Sequence, residues 1–151
     1  MELELVMLVD GKGDRSMEEV LFTKNQLQDK LLEWQKRLRL QDWIIKVEFK
    51  RAYDFPDEAL ARVNPTLEKK HAFIYLLDPV DYDPGFMVPY DMENSLIHEL
   101  LHLHLWPITG NDEEGIHRIS EEQAIESITS GILSAYRKDN YNLNKTVDLN
   151  A

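Results

Sequence analysis

"NSLIHELLHLHLWP", Asn94 to Pro107, sets three of the chain's five histidines and a glutamate among leucines. The apolar residues Leu96, Ile97, Leu100, Leu101, Leu103 and Leu105 would surround nearly the whole cylinder of a helix, which marks a buried helix rather than a surface one. Unpaired histidine and glutamate are costly in such surroundings, and a bound cation offsets that cost. The helix is expected from about Met92 to Leu105, with Asp91 as N-cap and Pro107 as its stop. Each helical residue turns by about 100°, so His98 and His102 lie about 40° apart on one face, where two imidazoles can hold one tetrahedral ion. Glu99 sits about 100° around the helix from His98 and can reach a water held at that ion. This is the physical content of the H-E-x-x-H pattern, here "HELLH". His104 points away from the pair and is expected to pack or hydrogen-bond elsewhere.

A catalytic zinc site takes three protein ligands and keeps a position for water. The extended motif with a glycine three residues and a histidine six residues past the second ligand is excluded, because Leu105 and Ile108 stand there. The following segment, "SEEQAIESI" from Ser120 to Ile128, supplies acids instead. Glu122 and Glu126 are four apart and share a helix face, so one can bind the ion while the other orients a ligating imidazole. Glu121 competes, since it falls in register with Ile125, Ile128 and Ile132. Glu122 is the preferred third ligand, with Glu126 and Glu121 as outer partners or alternative ligands. Asp112 reads as a turn residue.

Outward from this centre, "HAFIYLL", His71 to Leu77, reads as a strand with both faces largely apolar. "WIIKVEFK" alternates, with Ile45, Val47 and Phe49 on one side and Lys46, Glu48 and Lys50 on the other, as in a sheet covered on one face. "ALARV", Ala59 to Val63, reads as a further strand, with "NPTLEKK" as the turn after it. Leu27, Leu31, Trp34 and Leu38 recur at helical spacing, behind a cap at either "SMEE" (Ser16 to Glu19) or "TKNQ" (Thr23 to Gln26). "MELELVMLV" at the start reads as a strand before a turn at "DGKGD". The Asp-rich loop "DPVDYDPGFMVPYD" lacks calcium-loop spacing. A last helix is expected from about Ile116 to Lys138, before a polar tail without periodicity. The expected architecture is α+β: a small, mainly antiparallel sheet with helices packed on one face, in a single domain over residues 1–138 with a tail over 139–151.

At 151 residues the chain suits one domain. Its net charge of −11 argues against nucleic acid and anionic membranes as partners. The segment Lys24 to Arg51 is locally positive, with eight basic and four acidic residues, and reads as a solvated face. The chain has no cysteine, which excludes disulfides and cysteine–zinc sites and fits a reducing, cytoplasmic setting. "LVMLV" is too short for a membrane span and lacks the basic flank of a signal peptide.

The HELLH helix followed by an acid-bearing helix resembles the zincin metallopeptidases, specifically the gluzincins, whose third ligand is a glutamate. The wider pattern, roughly Leu27 to Tyr136, is similar to short metallopeptidase-like proteins of phages and prophages, and more distantly to SprT-like proteases. The resemblance implies a minimal zincin-like fold and one Zn2+ per chain held by His98, His102 and Glu122. It also implies Glu99 as general base in peptide hydrolysis, with Glu126 matching the acid that follows the ligand in thermolysin-like members. A second oxyanion donor is expected from His117, Arg118 or Tyr136. By the same resemblance a peptide or protein substrate pairs along the strand His71–Leu77. Two other readings stand beside this one: a catalytically silent zinc-binding regulatory or phage accessory protein with the same fold, and a metal-free acidic interaction protein.

Overall fold

The computed structural model describes residues 18–111 and 114–149. The strand expected at residues 1–9, the turn after it, Ser16 of the alternative cap and Asp112 lie outside them. Helix α1 (Lys24–Arg37) begins where local chemistry dictates. The Thr23 hydroxyl accepts from the Gln26 N–H, and the Gln26 side chain accepts from the Thr23 N–H, so two otherwise orphaned donors are satisfied. Leu27, Leu31 and Trp34 then bury one stripe of the helix.

Strand β1 (Ile44–Lys50) buries Val47 and leaves Lys46 and Glu48 in water, as its alternation requires. Strand β2 (Ala61–Thr66) and strand β3 (His71–Leu77) complete a three-stranded sheet of order β1-β3-β2. β2 pairs antiparallel with β3, but β1 pairs parallel with it, so the sheet is mixed rather than mainly antiparallel. The stretch between β1 and β2 carries the chain past β3, so β2 occupies the far edge. β2 also runs on through Asn64, Pro65 and Thr66, which read as turn residues; the tight turn is Leu67–Lys69 with Lys70 left-handed at φ 52°. An edge strand tolerates proline where its missing N–H would face away from the sheet. The Leu60 carbonyl accepts from Leu77 N–H, which directs alternate residues of β2 toward β3 and turns Ala61, Val63 and Pro65 outward. β3 is buried on the side of Ala72, Ile74 and Leu76, whereas Phe73 is exposed on the other. That other face is apolar as well, at Phe73, Tyr75 and Leu77, but only Leu77 of it is fully buried.

Helix α2 (Met92–Thr109) crosses the buried face of the sheet and is almost entirely interior as far as Leu103. Asp91 caps it by accepting from the Asn94 N–H. The helix continues past Pro107, contrary to expectation. Proline removes one intrahelical hydrogen bond close to the end, and the next turn still closes through Gly110 N–H to the Trp106 carbonyl. Helix α3 (Arg118–Leu149) packs against α2 through Ile125, Thr129 and Leu133. It runs eleven residues beyond Lys138, so residues 139–149 of the expected tail are helical, and residues 139–148 are mostly exposed. The core lies between the sheet and the helices, which supports the α+β expectation with helices on one face. No helix of the described residues is long and apolar enough to cross a membrane.

A buried ionic cluster ties α1, α2 and α3 together. Glu93, 4% exposed, accepts from the Trp34 indole N–H at 2.9 Å and pairs with Lys30 at 3.0 Å and Arg137 at 3.3 Å. Arg137 also grips both oxygens of the Asp91 cap, at 2.8 and 3.0 Å. This network orients the N-terminal end of α2 toward α3.

Candidate metal centre

His98 and His102 present their rings from successive turns of α2, with centroids 5.1 Å apart. Both Nε2 atoms converge on one carboxylate of α3: Glu122 Oε2 lies 2.9 Å from His98 Nε2, and Glu122 Oε1 lies 3.2 Å from His102 Nε2. The remaining nitrogen of His98, Nδ1, lies 2.8 Å from Glu126 Oε1. Glu121 Oε1 is 3.5 Å from His102 Nδ1 and takes a hydrogen bond from the Thr109 hydroxyl. The structure thus brings all three acids of α3 to the histidine pair, each at a different position. Glu122 bridges the two Nε2 atoms, Glu126 sits on the outer nitrogen of His98, and Glu121 stands off His102.

The electrostatics follow from this packing. Burial works against a charged His98, but hydrogen bonds to Glu122 and Glu126 outweigh it and push the imidazole up to about 10. Glu122 is held well below the usual carboxylate range by its hydrogen bonds to His102 and His98. Glu99 is pushed up to about 7 by burial, against the pull of the two histidines and of a hydrogen bond from the Val63 N–H of β2. Its donor atom lies within 4.8 Å of those of His98 and His102, in a buried group able to hold a metal ion.

The donor types suit a divalent metal ion. Two imidazole nitrogens and a carboxylate oxygen form a donor set that suits it. His98 meets a carboxylate on its outer nitrogen, as ligating imidazoles do. His102 Nδ1 is buried without a hydrogen-bond partner among the described residues, so this ring is oriented by something else.

A cleft of about 1580 Å3 opens onto the centre. Its walls are the outer edge of β2 at Ala61 to Val63, the His98–His102 face of α2, and α3 from Arg118 through Glu122 to Arg137. Of the three expected oxyanion donors, Arg118 alone lines this cleft. His117 is exposed before the start of α3 and is not part of the wall. Tyr136 is turned the other way: its hydroxyl donates to Glu33 and accepts from Lys30, and its ring packs on Trp34. The helical period alone would leave Tyr136 on the same face as Glu122, but fourteen residues carry it about 21 Å further along the helix, beside α1 rather than the histidines. The strand expected to pair with a peptide, His71–Leu77, has no free edge. β3 is the interior strand, and both of its edges are already paired, so no peptide can add to it. The edge of the sheet that borders the centre belongs to β2.

His104 donates from Nε2 to the Leu38 carbonyl at the end of α1, away from the pair, as its angle required. Trp106 was not singled out by sequence, yet its ring stacks on that of His102 with centroids 4.6 Å apart. The signal was present in the four-residue spacing His98, His102, Trp106. The Glu93 cluster carried no such signal, because Trp34 and Arg137 come from distant parts of the chain. No protein-family model, no curated protein and no solved structure matches this chain.

Proposed function

We propose that the chain is a zinc-dependent metallopeptidase. The observation that carries this reading is the single Glu122 carboxylate bridging the Nε2 atoms of His98 and His102, with buried Glu99 beside them. A zinc ion held by His98, His102 and Glu122 would supply an activated water near neutral pH and an electrophile for a peptide carbonyl. Glu99, pushed up to about 7, is poised to take a proton from the attacking water and to pass it to the departing amine. The Val63 N–H fixes its carboxylate between sheet and helix. Glu126 holds the outer nitrogen of His98, and Arg118 brings a positive charge to the cleft for the developing oxyanion.

A peptide substrate would lie along the outer edge of β2, where the backbone groups of Ala61 and the Val63 carbonyl turn toward the cleft, the Val63 N–H being taken by Glu99. The lack of cysteine fits a reducing, cytoplasmic setting. Glu99→Gln tests the reading: it should keep one zinc per chain while lowering cleavage of a peptide library by about 10²–10⁴-fold. A Glu99→Gln variant that cleaves as well as the wild type would remove Glu99 from the mechanism. A wild type that binds one zinc and cleaves nothing would identify the silent binding protein instead.

A further inference from the structure

The two histidines of the centre are held differently, although both sit on one face of α2. His98 has a carboxylate on each ring nitrogen, Glu122 on Nε2 and Glu126 on Nδ1. His102 has Glu122 near Nε2, but its Nδ1 is buried without a hydrogen-bond partner among the described residues. The nearest acid, Glu121, stands 3.5 Å away and is engaged by the Thr109 hydroxyl. What covers His102 is the indole of Trp106, one helical turn further on, with ring centroids 4.6 Å apart and planes inclined by only 27°. The His98 ring also lies against it, T-shaped, with centroids 5.1 Å apart and planes at 66°.

We propose that Trp106 is a positioning residue for His102, holding its imidazole by face contact, with Nε2 toward Glu122, where other ligating histidines rely on a hydrogen bond. The inference rests on the metal-centre reading of the same residues. Its physics is straightforward. A hydrogen bond to Nδ1 fixes a ring at one point, whereas a flat aromatic partner limits rotation about both side-chain torsions. An imidazole that ligates a divalent cation gains positive character, and the electron-rich indole face favours that form over the free ring. Trp106 also lines the cleft and is half-buried, so it screens the unpartnered side of His102 from solvent.

The test compares wild type, Trp106→Phe and Trp106→Leu, each titrated with Co2+ and with Zn2+ against a chromophoric chelator. The loss expected for Trp106→Leu is about 10–100-fold in metal affinity, the range for removing a partner that orients a ligand. Trp106→Phe should recover most of it, and the cobalt absorption bands of the Leu variant should shift. Equal losses in the Phe and Leu variants, or none in either, would overturn the inference while leaving zinc binding by the wild type intact. Failure of the wild type to bind either ion would remove the metal centre itself, and the inference with it. A second readout needs no metal and no variant that folds poorly. In the metal-free wild type, one histidine ring should show carbon-bound protons displaced upfield by the indole ring current. If no histidine signal is displaced, the stack does not exist in solution.

Discussion

At the scale of single residues, the centre sets a contest between a proton and a cation for His98. With Glu122 and Glu126 on its two nitrogens, the ring is pushed up to about 10, so in the metal-free chain it carries its charge at neutral pH. The sign follows from linkage. A histidine raised above its unfolded value stabilises the fold fully below about 6.5, and that contribution fades as pH rises through about 10. Glu122, held low, contributes above the ordinary carboxylate range and loses its contribution as pH falls. Between these limits the ion pair keeps the site preformed, and zinc must expel one proton to enter. Apparent zinc affinity is therefore expected to rise about tenfold per unit above about pH 7, with one proton released per ion from His98, and more steeply below it, where Glu99 also gives up a proton. Calorimetry in two buffers of different ionisation enthalpy measures that proton. An affinity flat across this range would show that His98 is already neutral.

At the scale of elements, what could be read from the chain was what neighbouring residues decide among themselves. The Thr23–Gln26 box that starts α1 and the Asp91 cap that starts α2 are contacts across three residues, and both were legible. The end of α1 is just as local but was not recognised, because its motif appears without its usual residue. Arg39 N–H bonds to the Lys36 carbonyl and Leu40 N–H to the Gln35 carbonyl, which is the Schellman pattern, with buried Leu40 closing the turn. The first of these two positions requires a left-handed residue, and Arg39 adopts φ 60° where glycine is customary. Arg39→Gly should accordingly stabilise the protein by about 0.5–1 kcal/mol, the left-handed strain released being partly offset by the greater freedom of glycine when unfolded. Urea denaturation with an unchanged slope would measure it. A destabilised variant would mean that the Arg39 side chain contributes more than its backbone strain costs.

At the scale of the molecule, the features that sequence left unread are those set by distant partners. Nothing in "WIIKVEFK" or "HAFIYLL" states that they pair in parallel, since both patterns are satisfied by either direction; the long excursion through β2 decides it. The convergence of Glu122 on His98 and His102 was legible as a spacing, but not the crossing of α2 and α3 that realises it. That crossing is held at one end by Arg137 on Asp91 and Glu93, and at the other by Glu122 and Glu126 on the histidines. A metal ion would add a bond between the two helices at the second end only. Zinc at 100 times its dissociation constant should stabilise the fold by about 2.7 kcal/mol, raising the melting temperature by roughly 5–10 °C, and a chelator should reverse this. The gain should also be local. Hydrogen exchange should slow over α2 and the first half of α3, through about Leu133, where the helix packs on the core. Amides beyond Lys138, on an exposed part of α3, should exchange at the same rate with and without zinc. Equal slowing along the whole of α3 would show that the ion orders the helix itself. No slowing anywhere, at a zinc concentration that saturates a site of ordinary affinity, would mean that the two histidines and Glu122 do not grip a metal.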